Sequence, residues 1–234
     1  MNWFLLNSGK GDAAFNMALD EVLLEKASRL GRPLLRFYGW TEPAATFGYF
    51  QRFSHIVTAT KLRPLVRRPT GGGIVPHDAD WTYSLIIPPA HEWHQLRAEE
   101  SYRLMHEWIQ SAFTILKVET ELATECKRSD ARYPKSEIPA ACFAGHDRLD
   151  LLWHGRKIAG AAQRRNKLGL LIQGSVQPPP LSLSRADWEM AMCESARERF
   201  QAAWTEFADD AALDVHAKLL AGQKYSLNGY NQKR

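Results

Sequence analysis

The segment Arg67-Arg68-Pro69-Thr70-Gly71-Gly72-Gly73-Ile74-Val75-Pro76-His77-Asp78 concentrates residue types that can bind an anion or a polarised carbonyl. Three successive glycines after a strand permit positive φ angles and let main-chain amides approach a ligand with no Cβ in the way. Arg67 and Arg68 beside such a turn favour a carboxylate, phosphate or thioester oxygen. No Lys-Ser or Lys-Thr follows, which excludes a Walker sequence, and the glycine spacing excludes a dinucleotide fingerprint. A flexible turn with solvated arginines is the competing reading.

Cys142 lies between Ile138-Pro139-Ala140-Ala141 and Phe143-Ala144-Gly145-His146, in a loop bounded by Pro and Gly, where functional residues concentrate. Its thiolate can accept an acyl group from a thioester, an exchange close to neutral in energy that needs no ATP. A small inert thiol in apolar company is the alternative. Lys157 falls in Gly155-Arg156-Lys157-Ile158-Ala159-Gly160-Ala161-Ala162-Gln163-Arg164-Arg165, a strand in which alternate side chains face one side. It can enter a cleft that Ala159 and Ala161 keep shallow, and its ammonium can stabilise negative charge growing on a carbonyl or phosphate oxygen. The other reading is a hairpin-edge lysine that blocks sheet aggregation. His77 has no metal set around it, and a satisfied polar group is the ordinary fate of such a residue. His91 and His94 flank Glu92 at a spacing that zinc uses, but the preceding Pro88-Pro89 and the lack of a nearby cysteine favour a solvated loop. No metal site is expected.

These residues need elements to hold them. Trp3 to Leu6 reads as a short strand, and Asp12 can cap a helix with an apolar stripe of Phe15, Ala18, Leu19 and Val22, leaving Asp20, Glu21 and Glu25 polar. Gly31-Arg32-Pro33 ends that helix. Leu34 to Tyr38, the region of Thr46 and Phe47, and Leu65 to Arg68 are strand candidates, and Trp81 to Ile87 alternates up to Pro88-Pro89. A second helix is predicted from about Ala98 to Lys117, then a loop-rich stretch from Glu121 to Ala141. Leu149 to Trp153 and Arg156 to Gln163 read as a hairpin, with Leu168 to Val176 as a further strand. The remainder, from Ser184 with its capping partner Asp187 to a last amphipathic helix over Leu213 to Leu220, reads as helical. Strands in adjacent runs with helices first, middle and last predict an α+β fold with a mixed, largely antiparallel sheet.

With 234 residues, 45% of them hydrophobic, the chain can bury a substantial core, and it reads as a single domain with a helical section from about residue 184. Lys plus Arg number 30 against 26 Asp plus Glu, a net charge of +4 that can steer an acidic protein partner but does not imply nucleic acid. Three cysteines without CxxC spacing read as reduced thiols. No stretch approaches the ~18 apolar residues of a membrane span, and Asn7 to Asp12 interrupt the first apolar run, so a soluble cytoplasmic protein without a signal segment is expected.

Taken in order, Asn16-Met17-Ala18-Leu19-Asp20-Glu21, Arg36-Phe37-Tyr38-Gly39-Trp40, Gly48-Tyr49-Phe50-Gln51, the glycine segment with Thr82-Tyr83-Ser84, the Lys157 segment and Gln173-Gly174-Ser175-Val176 resemble the lipoate–protein ligase, octanoyltransferase and biotin–protein ligase superfamily. The resemblance spans nearly the whole chain and implies the superfamily's α+β catalytic domain. It implies that Arg67, Arg68, Thr70, Gly71, Gly72 and Gly73, with Ala159, Gly160 and Ala161, border an acyl or adenylate pocket. Lys157 would be the active-site lysine, with His77 beside the catalytic centre. Cys142-Phe143 is similar to the loop cysteine that carries the acyl group in the ligase-like bacterial octanoyltransferases. Such an enzyme would move an octanoyl group from octanoyl acyl carrier protein, without a cofactor, to a lysine of the glycine-cleavage H protein or of a 2-oxoacid dehydrogenase lipoyl domain. The alternatives are an ATP- and Mg2+-dependent lipoate–protein ligase acting through lipoyl-AMP, and a non-catalytic module that binds an acyl group or carrier protein. Gly73 stands where octanoyltransferases tend to have arginine, and Ala161 where the family has serine.

Overall fold

The structure, a computed structural model, describes residues 2–126, 145–208 and 211–233. In chain order its first half comprises β1 (Asn2–Gly11), α1 (Ala13–Leu30), β2 (Leu34–Trp40), β3 (Ala44–Phe47), α2 (Phe53–Ala59), β4 (Leu65–Arg67), β5 (Ile74–His77), β6 (Trp81–Ile87), α3 (Glu92–Gln95) and α4 (Ala98–Ile115). The second half comprises β7 (Glu121–Leu122), β8 (Leu151–Trp153), β9 (Arg156–Asn166), β10 (Gly169–Val176), α5 (Arg185–Phe200), β11 (Ala203–Glu206), α6 (Ala211–Leu220), a π-helical turn (Ala221–Tyr225) and α7 (Asn228–Asn231). Eight strands form one mixed sheet in the order β11-β1-β2-β6-β10-β9-β8-β7, antiparallel from β2 onward and parallel at the β11, β1 and β2 end. A second sheet, β4-β3-β5, stands beside it. Among the described residues no helix is long and apolar enough to cross a membrane.

The expected α+β architecture is present, and the structure departs from the sequence reading at several points, α2, α3 and β7 among them. β5 forms where only a turn was expected; it is an edge strand, which is where Pro76 costs no ladder bond. The stretch after residue 184 is not all helical, because β11 pairs in parallel with β1. Asp20, assigned to the solvent side of α1, is fully buried. The ends of α1 follow its sequence: the Phe15 amide donates to Asp12 Oδ1 (2.8 Å), and Gly31 closes the helix at φ 63° with its amide on Ala27 O.

Strand alternation sorts the main sheet into two faces. Leu35, Phe37, Tyr83, Leu85, Leu170 and Ile172 pack on one face with Met105, Trp108 and Ile109 of α4 and Trp188 and Met192 of α5. The opposite face, under α1, is organised in cross-strand rows. Leu34, Ile86 and Leu171 form an apolar row against Leu19, Leu23 and Leu24. One step along lies a polar row of Arg36, Ser84, Gln173 and Ala162, and the next is Tyr38, Thr82, Ser175 and Gly160. Both faces being covered, all of β6 is buried, polar positions included.

Candidate active site

The polar row is closed by α1. Asp20 Oδ1 accepts from Arg36 Nη1 (2.7 Å) and the Ser84 hydroxyl (2.7 Å); Oδ2 accepts from Gln173 Nε2 (2.7 Å) and the Tyr38 hydroxyl (3.2 Å). Arg36 also donates to the Asn16 side chain (2.8 Å), which in turn donates to Gly11 O and Gly39 O. Every lone pair of a wholly buried carboxylate is therefore used, which is what makes a charge tolerable there. The Asn16 to Glu21 and Arg36 to Tyr38 motifs thus build the platform beneath the site.

Above the next row lies a cleft open to solvent. Its floor is Tyr38, Thr82, Ser175, Gly160 and Ala162, and its roof is Met17 of α1 with Thr46, Arg68, Gly72, Val75 and His77 around the small sheet. The glycine turn is locked to Gly48: a Cβ at that position would lie 2.0 Å from Gly72 O. Gly72 adopts φ 87°, a conformation that side chains rarely take. Arg68 folds back over its own turn, donating from Nε (3.0 Å) and Nη2 (2.5 Å) to Gly71 O.

Of the residues expected around a pocket, Arg68, Gly72, Gly160 and Ala161 line this cleft, as does His77. Arg67 does not: consecutive residues of an extended segment point to opposite sides, and its guanidinium donates to Tyr49 O (2.7 Å), Gln51 O (2.7 Å) and Asn231 O (2.9 Å). Thr70 acts at one remove, donating to Gln173 Oε1 at 2.7 Å. Gly71 serves through its carbonyl; Gly73 and Ala159 are not part of the lining, and Ala159 belongs to the core on the α4 face.

His77 is buried and fully engaged. Its Nδ1 pairs with Asp80 Oδ2 (2.9 Å), and its Nε2 pairs with the Thr46 hydroxyl (2.8 Å). Trp40 stacks on the ring at 3.8 Å between centroids. Asp80 Oδ2 also accepts from Ser175 (2.6 Å) and Thr82 (2.9 Å). Of the two histidines at zinc spacing, His94 directs Nε2 to Asn166 O, and the His91 ring caps α3 by accepting from the Trp93 amide.

Lys157 is not an edge residue, since β9 lies between β10 and β8. A register shift at Leu151/Leu152 lets its side chain turn inward, where Nζ meets Asp150 Oδ2 at 2.7 Å, with the side chains only 6% and 0% exposed. The ammonium sits over Gly160, where a Cβ would lie 2.8 Å from Nζ. Only glycine leaves this point of the cleft lining to the lysine without displacing it. Cys142 lies outside the described residues. Among the described residues, the Cys126 thiol donates to Asp147 Oδ1 (3.2 Å), and the Asp147 amide donates to Asp150 Oδ2 (2.7 Å).

Sequence reasoning missed Asp150, Asp80, Thr46 and Met17. Asp80, three residues past His77, and Asp150, seven before Lys157, were within local reach; Thr46 and Met17 come from elements distant in sequence.

Residues 12–177 match the model of the lipoyl protein ligase A/B catalytic domain. The chain is 38% identical over 183 residues to octanoyltransferase LipM of Anoxybacillus flavithermus, and 40% identical over 183 residues to LipM of Geobacillus kaustophilus. Each alignment covers 74% of this chain and 64% of the relative, so the chain spans less than two thirds of these relatives' length. In structure it is similar to a T. acidophilum protein solved with bound lipoic acid (TM-score 0.79, 20% identity, 100% of both chains). A lipoate-protein ligase A bound with ATP is similar too (TM-score 0.75, 20% identity, 99% of this chain and 98% of that one). At such identities these two likenesses speak to the fold. The family match and the LipM relatives go further, and the chain belongs to the lipoyl protein ligase A/B catalytic domain family.

Proposed function

We propose that the protein is an octanoyltransferase of protein lipoylation, working through a thioester on Cys142. The observation that carries this reading is the Lys157 ammonium, fixed over Gly160 beside a cleft whose walls include Met17, Val75, Ala161 and Ala162. A hydrocarbon chain suits such walls, and a fixed cation suits the oxygen of its carbonyl. The 36–40% identity to proteins named octanoyltransferase supports transfer over ligation.

In the first step the Cys142 thiolate attacks the thioester of an octanoyl acyl carrier protein; the new S–C bond forms and the carrier thiolate leaves. In the second, a lysine amine of the acceptor attacks the acyl-enzyme; the N–C bond forms, the Cys142 thiolate leaves and the amine sheds a proton. Lys157 stabilises the oxyanion in both steps. The acceptor lysine, with a reference pKa near ~10.4, reacts in its neutral form. His77 can receive a proton only through the Thr46 hydroxyl, because that hydroxyl occupies Nε2. The acceptor is the glycine-cleavage H protein or a lipoyl domain of a 2-oxoacid dehydrogenase, and the reaction needs no cofactor. Transfer from octanoyl acyl carrier protein to a lipoyl domain, assayed without nucleotide, tests the reading. Modification only from free lipoate with ATP and Mg2+ would make the protein a ligase, and binding without turnover by either route would make it a binding module.

A further inference from the structure

Strand β8 ends opposite Ala159, so beyond that point β9 loses a neighbour. Tyr102 of α4 takes its place. The Ala161 amide donates to the Tyr102 oxygen (3.4 Å), and the Tyr102 hydroxyl donates to Asp150 Oδ1 at 2.6 Å. His106, one turn further along α4, lies 4.2 Å from the Tyr102 ring between centroids, and its Nδ1–H donates to Tyr102 O (3.1 Å). His106 is wholly buried, and Nε2 has no hydrogen-bond partner among the described residues.

We infer that Tyr102, backed by His106, is a positioning residue for Lys157 that acts through Asp150. This rests on the role proposed for Lys157. A hydrogen bond into Oδ1 fixes the rotation of the carboxylate, so Oδ2 and the ammonium it holds stay over Gly160. The same phenol oxygen anchors the main chain at Ala161, a cleft residue, so one atom ties the ammonium to the cleft wall. Among the described residues, the charged and titratable groups around Asp150 are Lys157 from β9, Tyr102 and His106 from α4, and Asp147 through its amide. His106 remains neutral through burial, which spares the site a second cation beside Lys157. The helix itself needs none of this: α4 is already held by Met105, Trp108, Ile109 and Phe113.

The test is Tyr102→Phe in the full chain, read two ways. In octanoyl transfer, kcat falls by about tenfold or more while KM for the octanoyl carrier stays within about twofold. In 15N NMR of lysine-labelled protein, the ammonium signal assigned to Lys157 by its loss in Lys157→Ala moves. An unchanged kcat, or an unmoved Lys157 signal, overturns the inference. If the wild type transfers no octanoate, the proposed function fails and the NMR signal alone decides the positioning. If Tyr102→Phe does not fold, a fluorinated tyrosine at position 102 keeps the shape and changes donor strength; a Lys157 signal indifferent to it overturns the inference.

Discussion

Lys157 Nζ and Asp150 Oδ2 stand 2.7 Å apart across the β8–β9 hairpin, both out of solvent, beside Gly160 of the cleft floor. Removing one partner leaves an uncompensated buried charge. Lys157→Met or Asp150→Asn should each cost about 3–5 kcal/mol in denaturant unfolding. The double variant should lose less than the sum of the two, because it buries no lone charge. Additive losses would mean that the pair does not form. For Lys157→Met, transfer per folded molecule should fall by about 10²–10³.

Gly160→Ala should separate activity from stability. The nearest atoms to the added Cβ are Lys157 Cε at 2.6 Å, Lys157 Nζ at 2.8 Å and Asp150 Oδ1 at 3.2 Å. The lysine tip can shift while keeping its ion pair with Asp150, so the melting temperature should change little while transfer falls by about tenfold to a hundredfold. Unchanged kinetics would show that the ammonium's place over Gly160 is immaterial.

Much of this was legible in the sequence, and the parts that were not share a cause. The ends of α1 were readable because Asp12 and Gly31 act on their own neighbours. The bounds of β6 were readable because alternation runs up to a Pro-Pro stop. Asp20 was placed on the wrong side because a carboxylate in a helix defaults to solvent; its burial depends on Arg36, Ser84 and Gln173, which the fold brings from three strands. Tyr102 shares helical spacing with the apolar Met105, Ile109 and Phe113, so nothing in the sequence sets its hydroxyl apart. The two adjacent arginines looked equivalent until the backbone aimed Arg68 at the cleft and Arg67 at Asn231.

Arg67→Lys should therefore be a stability variant. It retains the charge but loses the planar fork that reaches three carbonyls from Tyr49, Gln51 and Asn231. A loss of about 1–3 kcal/mol in unfolding free energy is expected, with KM for the acyl donor unchanged. A raised KM at wild-type stability would place Arg67 in the substrate site.

His106 gives the protein an acid-sensitive core. Burial, partly offset by Asp150 and reinforced by Lys157, lowers its imidazole to about 4. A folded-state value below the unfolded one means that the contribution is complete above about pH 6.5 and is lost as pH falls toward 4. Between pH 6.5 and 5 this group alone should cost about 2 kcal/mol of stability. His106→Leu should flatten that part of the stability profile; an identical slope in both proteins would show that His106 is not held neutral.

The central claim rests on Cys142, and intact-mass spectrometry after incubation with octanoyl acyl carrier protein, without ATP, tests it most directly. One octanoyl adduct is expected, labile to hydroxylamine, absent from Cys142→Ala and discharged to a lipoyl-domain lysine. No adduct, with that lysine modified from free lipoate only when ATP is present, would contradict it.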